Sequence, residues 1–207
     1  MTILWIFFEV AGTIAFAISG ALVGISRRMD IFGILVLALS TAIGGGIIRD
    51  ILVGNIPPNS FKSPLYISLT ALTTLIIFII YRQKLLNYRS KQKIRKYYLV
   101  ADTLGLASFT VTGTTIGFST YPQYPLLSIT LGLVTAIGGG IIRDILAQRI
   151  PSVLQEEIYA LPAILGACVY LLIANFNLFL AVPISFLAVF IIRIIGIYYR
   201  LNLPKVN

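Results

Sequence analysis

The sequence has no histidine and a single cysteine, Cys168, which lies in an apolar run. Imidazole-bound metals, internal disulfides, thiolate clusters and the Ser-His-Asp and Cys-His forms of catalysis are thereby excluded. No G-x-x-x-x-G-K-[ST] loop is present to cradle a nucleotide. Charge is scarce as well: 11% of residues are charged, against about 25% in soluble domains. Neither enzymatic activity nor a cofactor is expected of such a chain.

What fills the sequence instead is apolar residue, 58% of the 207 positions, with a mean hydropathy of +0.95. A hydrocarbon core about 30 Å thick needs about 20 apolar residues per helix. Apolar runs between polar or proline-bearing breaks predict seven spans, at 3–26, 31–52, 65–81, 98–118, 125–146, 157–175 and 177–199. The predicted class is an all-α integral membrane protein. Residues 1–81 form a first three-helix unit, 82–97 a basic loop, 98–175 a second unit, and 176–207 a seventh helix with its tail. The first residues lack the basic flank of a signal peptide and carry Glu9 within the apolar stretch, so they read as a retained span.

The formal net charge of +9 invites a nucleic-acid reading, but the placement of the basic residues argues for topology instead. Arg82, Lys84, Arg89, Lys91, Lys93, Arg95 and Lys96 fall in the third loop; Arg27 and Arg28 fall in the first, Arg149 in the fifth, and Arg200 and Lys205 in the tail. The even loops hold Lys62 alone. Cytoplasmic loops carry the excess of lysine and arginine, so the C-terminus is predicted to be cytoplasmic and the N-terminus external, in a plasma membrane. The third-loop cluster suits anionic lipid head groups as well, and no nucleic-acid partner is expected.

Residues 41–52, Thr-Ala-Ile-Gly-Gly-Gly-Ile-Ile-Arg-Asp-Ile-Leu, recur letter for letter at 135–146. Around this identity Glu9 aligns with Asp102, Gly12 with Gly105, Phe16 with Phe109, Gly20 with Gly113 and Gly24 with Gly117. Pro57 aligns with Pro151, and Tyr66 with Tyr159. The repeat covers spans one to three and four to six. A unit with an odd number of spans inverts its successor, which predicts two inverted three-helix repeats plus a seventh helix.

Each glycine triplet, Gly44, Gly45, Gly46 and Gly138, Gly139, Gly140, costs about 1 kcal/mol per residue against alanine in a helix. Either the backbone breaks there and offers carbonyl oxygens to a cation path, or the helices cross closely there. A break lining a path is the expectation. The G-x-x-x-G pairs Gly20 with Gly24 and Gly113 with Gly117 read as packing. Ser19 and Thr112 beside them offer hydroxyls to a water-filled lumen, or bond back to their own helix.

Glu9, Arg49, Asp50, Asp102, Arg143, Asp144 and Arg193 fall inside predicted spans, where an unpaired charge costs at least about 2.5–3.5 kcal/mol. Adjacent helical residues point about 100° apart, so Arg49 and Asp50 are not expected to neutralise each other. The predicted pairs are Glu9 with Arg49 and Asp102 with Arg143, one at each end of the path. These pairs either hold the halves together or free Asp50 and Asp144 to attract cations at the mouths. Arg193 is expected to snorkel to the cytoplasmic face, and Glu156 and Glu157 to be solvated. Pro162 and Pro183 are expected to kink spans six and seven. Trp5, Tyr97, Tyr98, Tyr198 and Tyr199 read as an interfacial belt.

At the doubled Gly-Gly-Gly-Ile-Ile-Arg-Asp segment followed by Pro57 or Pro151, the chain resembles the bacterial and archaeal branch of the trimeric intracellular cation (TRIC) channels. The resemblance covers nearly the whole chain. It implies a homotrimer in which each protomer has its own pore, permeable to potassium and other monovalent cations and framed by the second and fifth spans at the two glycine triplets. Animal members use a lysine-glutamate motif in the second span with phosphoinositide lipids; span two here has no such motif. Prokaryotic relatives are also labelled glycine transporters, which sets an alternating-access carrier for a small amino acid as the rival reading. An amino-acid site needs an anion for the amine, and no acid is expected near mid-depth, which favours a channel.

Overall fold

The computed structural model describes residues 3–83, 91–155 and 158–201, the latter part of the tail lying beyond them. Six helices are long and apolar enough to cross a membrane: α1 (Ile3–Ser26), α2 (Ile31–Leu52), α4 (Leu65–Arg82), α5 (Lys91–Thr120), α6 (Pro125–Leu146) and α9 (Leu178–Tyr199). A shorter apolar helix, α8 (Ala160–Ala174), and two single turns, α3 (Asn59–Lys62) and α7 (Ser152–Gln155), complete the described helices. Asp30 starts α2 by accepting from the Gly33 amide at 2.7 Å, and Asn177 does the same for α9 at 3.0 Å to Phe179. Both caps satisfy amides that a helix start leaves free.

Three sequence expectations are corrected here. The sixth span, expected over 157–175, is the 15-residue helix α8, about 22 Å long at 1.5 Å per residue. Pro162 lies in its first turn, where the missing amide removes no helical bond, so it is no kink in a span interior. The loop expected over 82–97 is also shorter, because α5 already begins at Lys91. The side chains of Lys84, Arg89, Lys91 and Lys93, with Glu156, Glu157 and Lys205, lie outside the described residues.

Polarity is distributed as lipid demands rather than as water does. In α4 the buried residues are Thr70, Thr73 and Thr74, while Leu72, Leu75 and Ile76 are exposed. Among the described residues Thr41, Thr110, Thr114 and Thr135 are buried completely, and each hydroxyl donates to the carbonyl four residues back. An inside lined with satisfied hydroxyls and an outside of Ile, Leu and Phe fits a hydrocarbon solvent. The chain is a multi-pass membrane protein.

The core is a cross of α1, α5, α2 and α6 built on small residues. Contacts between α1 and α5 run antiparallel: Trp5 bonds to Thr112, Phe16 meets Phe109 edge-on at 5.1 Å, and Ser19 bonds to Asp102. The crossing of α2 and α6 is reciprocal. A Cβ added at Gly45 would stand 2.2 Å from the Thr135 carbonyl oxygen, and one added at Gly139 would stand 2.0 Å from that of Thr41. Only glycine admits such an approach. Gly20 similarly admits the Ala38 backbone, and Gly113 that of Leu131 and Gly132, so the G-x-x-x-G faces seat α1 on α2 and α5 on α6. Helix α9 closes the bundle against α8, where Ser185 donates to the Gly166 carbonyl at 2.8 Å.

Candidate functional site

Helices α2 and α6 are α-helical without interruption through both glycine triplets. The expected break is therefore corrected: Gly45 and Gly139 are spent on the close crossing of two intact helices, and no break frees their carbonyl oxygens. Gly46 is different, since the nearest atom to an added Cβ is 3.6 Å away on Arg49. One turn beyond each triplet the helix delivers an arginine and an aspartate into the protein interior.

At the end of α2, Arg49 is 1% exposed and Asp50 is fully buried. Arg49 donates through Nη1 to Glu9 Oε1 at 3.1 Å and through Nε to Asp50 Oδ1 at 2.9 Å. Asp50 Oδ2 accepts from the Asn59 amide at 2.7 Å, which ties down α3. At the end of α6, Arg143 donates through Nη1 to Asp102 Oδ1 and through Nε to Asp144 Oδ1 at 2.8 Å. Asp144 Oδ2 accepts from the Ser152 amide at 2.8 Å, the same device holding α7. The structure thus brings together both carboxylate–arginine pairs that sequence spacing suggested.

It also brings together what the sequence argument kept apart, for Arg49 bonds Asp50 and Arg143 bonds Asp144. Angular separation on a helix governs short side chains, whereas an arginine can fold back and offer its Nε to the next residue while its fork reaches another helix. Asp50 and Asp144 are not free of their neighbours. Ser19 does not stand alone in a lumen either: its hydroxyl accepts from Arg143 Nη1 at 2.6 Å and donates to Asp102 Oδ1 at 3.3 Å. Thr112 turns its hydroxyl back to the Phe109 carbonyl at 3.5 Å. Arg193 does not snorkel; it is 1% exposed, stacked 4.7 Å over Tyr159 and directed to the Ile158 carbonyl at 3.4 Å.

Several participants were missed. Trp5 and Tyr98 are buried members of the two charged ends rather than belt residues. Trp5 lies 5.9 Å from the Arg49 guanidinium and donates to the Thr112 carbonyl at 3.2 Å. Tyr98 accepts from Arg143 at 3.0 Å and from Arg149 at 2.9 Å. The signal was available: at the spacing that aligns Glu9 with Asp102, Trp5 aligns with Tyr98. Arg149, read as a loop charge, donates twice to Asp144 Oδ1, at 2.8 and 2.6 Å. Of the belt, Tyr97, Tyr198 and Tyr199 are exposed.

Beside the first end lies a cavity of about 630 Å³, lined by Trp5, Asp50, Asn55, Asn59, Thr115, Ser119 and Tyr170 together with the apolar Val53, Ile116, Leu178 and Val182. It is large enough for many waters, and its polar part carries carboxylate, amide and hydroxyl oxygen of the kind that coordinates hard cations. Among the described residues no group of His, Cys, Asp and Glu has metal-holding geometry.

A family model described as a glycine transporter matches residues 6–82 and again 99–175. The UPF0126 inner membrane protein YadS of Escherichia coli K12 is 35% identical over 211 residues, covering 99% of this chain and 96% of its own. Among solved structures, a prokaryotic TRIC channel crystallised in 0.5 M KCl is 33% identical with a TM-score of 0.90, covering 98% of this chain and all of that one. The TRIC orthologue of Rhodobacter sphaeroides is 31% identical with a TM-score of 0.87, over 96% and 99% of the two chains.

Proposed function

The chain belongs to the prokaryotic TRIC channel family, and from that premise we propose that it is a potassium-conducting channel with one pore in each protomer of a homotrimer. Family membership supports a cation channel; the finer reading rests on the cavity beside Asp50. That cavity sits inside a single protomer, and Asp50 is the charged residue in its lining, paired with Arg49 behind it. A carboxylate in the wall raises local cation concentration and repels anions.

In this reading the two three-helix units are inverted in the plasma membrane, with the N-terminus external, and the path is framed by α2 and α6. Antiparallel packing of α1 on α5 and the reciprocal crossing of α2 on α6 support the inversion. The cavity is then the external vestibule. Potassium sheds water there onto Asn55, Asn59, Thr115 and Ser119 oxygens and moves alongside the crossing of α2 and α6 toward the Arg143 end. Gly46 leaves room beside Arg49 for a path that runs past the crossing closed by Gly45 and Gly139. Membrane lipids cover the exposed Leu, Ile and Phe faces.

Planar-bilayer recording of purified protein tests the proposal. Ohmic steps whose reversal potential follows the potassium gradient and ignores chloride are expected. Silent bilayers combined with saturable glycine uptake into liposomes overturn it in favour of an alternating-access carrier, the reading to which the family model's description points.

A further inference from the structure

The two ends of the molecule serve as controls for each other. In the second, Asp144 Oδ1 carries three charge-assisted bonds, one from Arg143 and two from Arg149, while Oδ2 takes the Ser152 amide. In the first, Asp50 Oδ1 takes the Arg49 bond and Oδ2 the Asn59 amide, so the two bonds corresponding to those of Arg149 are not made. The repeat places Asn55 where the second half has Arg149. A neutral side chain too short to reach the carboxylate replaces a cation that does, and the cavity of about 630 Å³ opens beside it. Trp5 lines that space where Tyr98 lies 5.2 Å from the Arg149 guanidinium. The buried Tyr170 also lines the space, with Thr115 as a neighbour of its hydroxyl.

We propose that the cavity at Asp50 is a binding site for a free guanidinium-type cation, which takes the position that Arg149 fills covalently in the other half. A carboxylate oxygen has lone pairs for a forked donor, an indole face beside it favours a delocalised cation, and Asn55, Asn59 and Tyr170 oxygens accept the remaining N–H groups. Lys62 is the intrinsic competitor. Its exposed ammonium bonds Asn55 Oδ1 at the rim and forms no ion pair with Asp50. The site goes beyond conduction, because occupancy needs no current.

Trp5 is the chain's single tryptophan and lines the cavity, so its fluorescence reads occupancy directly. Guanidinium chloride at millimolar, non-denaturing concentration is titrated into the full-length protein in nanodiscs, against sodium chloride at equal ionic strength. A saturable change specific to guanidinium is expected. Asn55→Arg, which supplies the arginine of the second half, is expected to weaken that response by about tenfold or more through occupation of the site. Lys62→Gln is expected to strengthen it. Asp50 itself holds α3, so it is left intact. Equal responses to sodium and guanidinium, no saturation, or an undiminished response in a folded Asn55→Arg protein overturns the proposal. None of these outcomes depends on whether the protein conducts potassium.

Discussion

At the end of α2 one guanidinium faces two carboxylates beside a cavity; at the end of α6 two guanidiniums, that of Arg149 partly exposed, face two carboxylates. The segments that deliver these charges are identical over twelve residues. The difference therefore comes from what surrounds them: Asn55 against Arg149, Trp5 against Tyr98, and Thr112 against Ser19. The same buried arginine–aspartate step borders a cavity in one setting and joins a four-charge cluster in the other. The neighbours supplied by the rest of each repeat separate the two, and they set what each arginine is worth.

The largest expected effect is at Arg143. Arg143→Met leaves the buried Asp102 without its counter-charge and with the Ser19 hydroxyl as its remaining described donor, and breaking a buried pair in this way costs about 3–5 kcal/mol. Thermal unfolding in detergent is expected to show a large loss. Arg49→Met is expected to cost less, because Asp50 lines a cavity and Glu9, 6% exposed, is less enclosed than Asp102 at 1%. An equal or larger loss at Arg49 breaks the view that the first end is the less enclosed one.

The shared scaffold comes next. Gly45→Ala and Gly139→Ala each push a methyl against a carbonyl oxygen of the opposing helix, and such overpacking costs about 1–3 kcal/mol. The two losses are expected to match within error, with Gly46→Ala nearly neutral because its nearest neighbour is 3.6 Å off on a flexible side chain. Unequal losses at Gly45 and Gly139 mean that the crossing is less reciprocal than its distances, and that the asymmetry of the ends reaches the centre.

How much of this was legible in the sequence follows the same division. The repeat, all six long helices apart from the earlier start of α5, and the carboxylate–arginine pairs were readable, because apolar length, identity and the cost of a lone charge in lipid act locally or pairwise. The fate of the glycines was not. A glycine triplet lowers helix propensity whether it breaks or crosses, and only the position of the partner backbone decides between them. Arg193, Tyr98 and Arg149 were misplaced for a related reason: interfacial preference describes a helix alone in lipid, and here α5, α6, α8 and α9 pack around those side chains and supply stacking and oxygen partners. The short α8 was overextended because apolar composition continues past the residues that keep helical geometry.

The smallest expected effect isolates one hydroxyl at matched positions. Ser19 accepts from the buried Arg143 fork and donates to Asp102, so Ser19→Ala removes a charge-assisted bond without changing the helix and is expected to cost about 1 kcal/mol. Thr112, its counterpart, bonds only to the Phe109 carbonyl of its own helix among the described hydroxyl contacts. Thr112→Val keeps the shape and discards a bond that stabilises the helix little, so a change within about 0.5 kcal/mol is expected. If both substitutions are neutral, the α6 end draws its order from Tyr98 and Arg149 alone, and Ser19 is a bystander there. If Thr112→Val costs as much as Ser19→Ala, the Thr112 hydroxyl also serves the Arg49 cluster, and the two ends are closer to equivalent than their hydrogen bonds indicate.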